Sequence, residues 1–218
     1  MLARATTTAT QTESRLLDAA EAVFAERGFR AATTAEIGRR AQVNKTLIHY
    51  YFRSKEGLYM AMMRRIAAEM APFLQDFAIT DPVEALSTAA RRYVGLLAQH
   101  PHYVRLCAYE TLEGIGMHGD EEMYARLVEA ATTAIRRGAE QGLFRREDPR
   151  HVLASVEGMC RFFFEHEETL RLQWGDAYDR DAVVAERSEH VVRMLLYGLG
   201  YGTTGATKCV DPSGGARS

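Results

Sequence analysis

The sequence predicts an all-α protein of about nine helices, with a three-helix head at the N-terminus and a larger helical body behind it. Three observations carry this. Apolar residues recur at three- and four-residue spacings along nearly the whole chain. Strand-like alternation is almost absent. The turns are marked by capping Thr, Asn, Ser and Asp, by glycines, and by only five prolines in 218 residues.

The elements follow in order. Met1 to Gln11 is rich in Ala and Thr and reads as a flexible arm, 1–11. A first helix runs from about Thr12 to Arg27, with Leu16, Leu17, Ala20, Val23 and Phe24 on one face and Gly28 as its stop. Thr33 and Thr34 precede a short second helix, where Thr34 caps and Ile37 and Ala41 lie one turn apart. Gln42-Val43 forms a tight turn. Asn44 caps a third helix reaching Tyr51, and Ser54 caps a fourth, from Lys55 to about Ala71, stopped by Pro72. The head is thus 12–54 and the connecting helix 55–72.

In the body, 73–202, Asp81-Pro82 opens a helix to about Gln99. His100-Pro101 breaks it, and Tyr103 to about Leu112 is helical. Asp120 to Gln141 follows, closed by Gly142. Asp148-Pro149 opens a long helix to about Trp174, and a last one spans about Asp181 to Tyr197. Residues 203–218 have little to bury and read as a disordered tail.

Composition limits the function. The chain is 47% hydrophobic and 26% charged, ordinary for a globular protein. No apolar run is long enough for a membrane helix, and no secretory signal is visible. Three scattered cysteines make neither a disulfide framework nor a zinc spacing, so a cytoplasmic location is expected. His100, His102, His118 and Cys107 form no CxxC or HExxH pattern, so no metal site is read. No phosphate loop, dinucleotide fingerprint or nucleophile elbow is present, so neither cofactor nor catalytic residue is expected.

The net charge of −2 hides an asymmetry. Residues 1–65 hold eleven Lys/Arg and six Asp/Glu, giving +5; the remaining sixteen and twenty-three give −7. A basic head on an acidic body points to a polyanion partner for the head alone. Lysine is scarce, yet two of the three, Lys45 and Lys55, fall in the head.

The head's two short helices and tight turn are a helix-turn-helix, a geometry that braces the second helix in a DNA major groove. Its outward N-terminal face carries Lys45, Thr46, His49 and Tyr50, all able to meet base edges or phosphates. Thr33 and Thr34 start the bracing helix and Lys55 starts the fourth, both positive helix ends suited to phosphate.

The segment resembles the TetR family of regulators over about residues 14–60. The strings Leu17-Asp18-Ala19-Ala20, Phe24-Ala25-Glu26-Arg27-Gly28-Phe29 and Thr33-Thr34-Ala35-Glu36-Ile37-Gly38-Arg39-Arg40-Ala41 carry it. So do Val43-Asn44-Lys45, Leu47-Ile48-His49-Tyr50-Tyr51-Phe52 and Ser54-Lys55-Glu56. The resemblance implies a dimeric repressor that leaves double-stranded operator DNA when a small molecule binds its body. An activator, or a regulator without an effector, is the alternative. By position, Thr34, Lys45, Thr46, His49, Tyr50 and Lys55 correspond to DNA contacts, and Tyr51 straddles core and backbone contact. Two positions depart from the pattern: Gln42 stands where the turn usually has Gly, and Thr46 where the recognition helix often has a small residue.

The body is read from its own residues. Tyr93, Tyr103, Leu106, Glu110, Met117, Met159, Phe163 and His166 are candidates to line an apolar effector pocket. Arg161-Phe162-Phe163-Phe164 is apolar over too wide an arc for one core face. With Met194, Leu195 and Tyr197 of the last helix, Phe162 and Phe164 are expected in a two-fold interface resembling the family's dimer bundle.

Overall fold

The computed structural model describes residues 2–114, 121–175 and 178–202, the side chains of residues 2–9 excepted. Met117 and the 203–218 tail lie outside the described residues. Eleven helices are present among them: α1 (Leu2–Ala31), α2 (Thr34–Arg40), α3 (Thr46–Phe52), α4 (Lys55–Ala68), α5 (Phe73–Phe77), α6 (Pro82–Gln99), α7 (Pro101–Glu113), α8 (Glu121–Glu140), α9 (Pro149–Glu165), α10 (Glu167–Trp174) and α11 (Arg180–Gly198).

The first helix starts at Leu2 rather than near Thr12, so the backbone of the expected arm is helical. Its sequence is rich in Ala, the best helix former, and holds neither Gly nor Pro. The predicted stop at Gly28 is a break with φ 74°, after which one more turn runs to Ala31. Asp81 and Asp148 cap α6 and α9 through their carboxylates, with proline next in each case. Two elements were not expected. Pro72 does not simply end a helix but opens the five-residue α5. The long helix expected from Pro149 to Trp174 is split at His166, whose backbone leaves helical geometry (φ −114°, ψ 14°).

Two apolar clusters organise the chain. One joins Leu16, Ala20, Val23 and Phe24 of α1 to Ile37, Ile48, Leu58, Tyr59 and Met62. The other joins α6, α8, α9 and α11 through Val94, Leu97, Ile135, Cys160, Val191 and Leu195. Fully buried side chains of this size contribute roughly 1.5–3 kcal/mol each. Tyr103 packs against both clusters, and Leu106, one turn further along α7, is buried in the first. Helix α7 is therefore the seam between head and body. Among the described residues, no helix is long and apolar enough to cross a membrane.

Candidate nucleic-acid interface

The turn between α2 and α3 is set by backbone contacts. Val43 N–H donates to Gly38 O at 2.9 Å, and Gln42 takes φ 55°. A non-glycine residue thus occupies the left-handed region, as its place in the turn demands. Arg15 of α1 donates to Ala41 O at 2.5 Å and Gln42 O at 3.3 Å, holding the turn from behind. A Cβ on Gly38 would lie 3.1 Å from the backbone of Lys45, so glycine lets the two helices approach.

Thr33, rather than Thr34, caps α2, because Thr34 is already its first helical residue: Thr33 Oγ1 accepts from Glu36 N–H at 3.2 Å. Asn44 Oδ1 accepts from both Thr46 N–H and Thr46 Oγ1 at 2.9 Å. Ile48 and Phe52 turn into the core, while Lys45, Thr46, His49 and Tyr50 are exposed, Tyr50 by 71%. Tyr51 is half-buried, packs on the head core and meets the Tyr50 ring edge-on at 5.0 Å. Thr33 is exposed and Thr34 half-exposed at the start of α2.

Lys55 is placed otherwise than the sequence suggests. Its ammonium donates to the carbonyls of Phe29 (2.9 Å), Ala32 (3.1 Å) and Arg30 (3.4 Å) and sits 4.5 Å from the Phe29 ring centroid. It closes the carbonyl end of the broken α1, where a cation is favoured, instead of standing free for phosphate. Other head cations are also occupied. Arg40 forms a two-pronged pair with Glu26 at 2.6 and 2.9 Å, Arg27 pairs with Glu36 at 3.0 Å, and Arg65 bridges Asp18 and Glu21. Arg39 and Arg53, passed over in the sequence because neither begins a helix, are exposed and add to the positive surface of the motif.

The body holds an open cavity of about 1730 Å³, between α6, α7, α8 and α9. Tyr93, Tyr103 and His166 line it as expected. Leu106, Glu110, Met159 and Phe163 do not. Leu106 belongs to the head core. Glu110, on the same side of α7, is buried and accepts from the Tyr59 hydroxyl at 3.0 Å. Met159 packs in the body core, and Phe163 is 2% exposed. The expected interface residues also divide. Phe162, Met194 and Tyr197 are exposed. Leu195 is buried because it continues the core stripe Val191, Leu195, Leu199, and Phe164 packs against the same core.

The α7 helix presents opposite faces to these two regions. Val104, Ala108 and Thr111 line the cavity. Leu106, Tyr109, Glu110 and Glu113 face the head. Glu113 accepts from Arg30 N–H at 3.3 Å and its carbonyl from the Arg30 guanidinium at 3.0 Å, while Tyr109 Oη donates to Glu26 O at 3.4 Å. Burial, then the neighbouring Glu110 charge, raises the Tyr59 phenol well above its ordinary value, keeping it a donor. Burial likewise pushes Cys107 up to about 11 and Cys160 up to about 12.

Comparison with known proteins agrees over both parts of the chain. A family model described as bacterial regulatory proteins, tetR family, matches residues 16–62. Another, described as the tetracyclin repressor-like C-terminal domain, matches residues 82–195, slightly more than half of the chain. The chain is 28% identical over 170 residues to the HTH-type transcriptional repressor NicS of Pseudomonas putida, covering 74% of this chain and 80% of that one. It is 26% identical over 191 residues to the HTH-type transcriptional regulator RutR of Escherichia coli K12, covering 84% and 88%. The solved hemolysin II transcriptional regulator HlyIIR superposes with a TM-score of 0.67 at 21% identity, covering 88% of this chain and 98% of that one, a likeness of fold.

Proposed function

The chain belongs to the TetR family of bacterial regulatory proteins and is a DNA-binding transcriptional regulator, and we propose that it is a homodimeric repressor released from its operator by a small molecule bound in the body. The observation that carries the reading is the exposed face of α3, Lys45, Thr46, His49 and Tyr50, set on a helix whose other side is locked into the head core. Such a face fits the major groove with its N-terminal residues foremost. Thr33 and Thr34 take the adjoining phosphates at the start of α2.

The dimer is supported by an exposed stripe. Ala154, Gly158 and Phe162, which also border the open cavity, follow one another at four-residue spacing on α9, and Met194 and Tyr197 are exposed on α11. A Cβ on Gly158 or Gly198 meets nothing within the chain, so both leave room for a second copy to approach. Two heads related by a two-fold axis suit half-sites about one DNA turn, ~34 Å, or a multiple of it, apart.

Release is transmitted through α7. A ligand that moves its cavity face shifts Tyr109, Glu110 and Glu113 against α1 and α4, which changes the spacing of the two heads. Coupling of about 1–3 kcal/mol would alter operator affinity about 5- to 150-fold. A protein that works on DNA in this way acts in the cytoplasm, and the catalytic machinery of an enzyme has no part in it.

The test is direct. DNA fragments selected by the purified chain from a random pool should share a palindromic core, and the complex should contain two protomers. Fragments without a shared sequence would refute the reading.

A further inference from the structure

We infer that the body cavity takes a lipophilic molecule carrying one positively charged amine, bound by the Glu157 carboxylate among aromatic faces. This rests on the reading of the cavity as an effector site. The walls are mainly apolar and include the rings of Phe73, Phe77, Tyr93, Tyr103 and Phe164. Into this surface α9 sends Glu157 and Arg161, one turn apart.

The two charges are not equally matched. Arg161 Nη2 meets Glu165 Oε1 at 2.7 Å, a full charge-assisted hydrogen bond. Glu157 is approached by Arg161 only through Nε at 3.7 Å, too far for a hydrogen bond, and that Nε is buried without a hydrogen-bond acceptor. One cation between two carboxylates leaves the group one negative charge in excess. The other cavity-lining guanidiniums are closed or solvated: Arg150 by Asp148 at 2.6 Å, Arg171 by Glu168 at 2.8 Å, and Arg105 by exposure to water.

Tyr93 lines the same cavity as Glu157, and the Glu157 side chain is 42% exposed, so its oxygens are reachable. A carboxylate ligand would add a second negative charge to a group already in excess. An ammonium ion restores neutrality, and the flanking ring faces attract it as well.

Three probes matched in size and differing in charge test this: 4-phenylbutylamine, 4-phenylbutanol and 4-phenylbutyrate, titrated calorimetrically into the full chain. The amine is expected to bind at least tenfold tighter than the alcohol, and the acid weakest. In Glu157→Gln the amine should lose its advantage while the alcohol binds as before. A preference for the acid, equal binding of amine and alcohol, or an amine preference that survives in Glu157→Gln would each overturn the inference while leaving the effector site standing. Absence of binding by all three at millimolar concentration would overturn both. The wild-type comparison decides the charge preference independently of the variant.

Discussion

The glycines of the body lie in more open surroundings than Gly38 and Gly57 near the N-terminus, with the exception of Gly138, where a Cβ would lie 2.1 Å from the Phe144 ring. At the start of the connecting helix, a Cβ on Gly57 would lie 2.0 Å from Phe52 O, and in the head one on Gly38 would lie 3.1 Å from the Lys45 backbone. In the body, Gly95, Gly158 and Gly198 have nothing within 4 Å of where a Cβ would stand. Polar side chains hold specific backbone groups in both regions: Arg15, Thr33, Asn44 and Ser54 in the head, and Asp81, Arg137, Asp148 and Arg180 in the body. The body in addition surrounds a cavity with apolar rings and a few charges. The head is fixed at short range, which presents α3 in one orientation. The body has space to re-pack, and re-packing is what a ligand-driven switch needs.

The sharpest way to break this contrast is to add one methyl group on each side of it. Gly57→Ala pushes a Cβ into a main-chain oxygen and should cost about 3 kcal/mol or more in urea unfolding, by the reasoning for overpacked sites. Gly95→Ala fills empty space on a helix and should stabilise the chain by up to about 1 kcal/mol. Equal effects of the two would remove the distinction.

The two head lysines come next. Lys55→Ala should lower stability by about 1–2 kcal/mol, since three carbonyls at the end of α1 lose their donor. Its DNA affinity per folded molecule should hold. Lys45→Ala should do the reverse: an unchanged melting temperature, about tenfold weaker binding of selected DNA, and a shallower salt dependence by about one phosphate contact. Exchanged phenotypes would mean that the lysine assignments are inverted.

At the seam, Tyr59→Phe takes a donor from buried Glu110 and should cost about 1–2 kcal/mol. It should also weaken the response of DNA binding to a cavity ligand, because the contact joins α4 to the cavity helix. An unaltered ligand response would remove this contact from the relay.

The smallest effect concerns the thiols. A group whose acidity is weakened by folding favours the native state below its unfolded value and loses that advantage as pH rises through its folded value. For Cys107, held near 11, the window runs from about 8.5 to 11. At pH 8 only about a thousandth of it is thiolate, so peptide mapping should find Cys107 and Cys160 unlabelled by a thiol reagent until the protein unfolds. Rapid labelling of either in the native protein would show that its site is open.

The parts legible in the sequence are those whose causes are local. Gly28 ends a helix because its φ is positive, and Asp81-Pro82 starts one because a carboxylate caps two free N–H groups. Gln42, a departure from the usual glycine, marks the turn where the backbone is left-handed. The exposed face of α3 was legible from helical spacing, but spacing suggests Leu47 and Tyr51 as the inward pair, whereas Ile48 and Phe52 are the buried residues and Leu47 and Tyr51 are half-buried. What was not legible depends on distant partners. Lys55 finds its carbonyls 23 to 26 residues away, and the same sequence position would have suited a phosphate. Glu110 and Leu106 lie on the side of α7 that carries Tyr103, yet of the three only Tyr103 reaches the cavity, and the other two meet the head. Helix α5 is too short to show a period, and the break at His166 has no proline or glycine to announce it.

The central claim is that one exposed face of α3 reads DNA. It is tested most directly by the triple variant Lys45→Ala, His49→Ala, Tyr50→Ala, titrated against DNA selected by the wild-type chain and followed by fluorescence anisotropy. All three side chains are exposed, so the melting temperature should not move. The predicted result is binding reduced to the level of unselected DNA at the same salt concentration. Retention of wild-type affinity and preference by a folded triple variant would contradict the account.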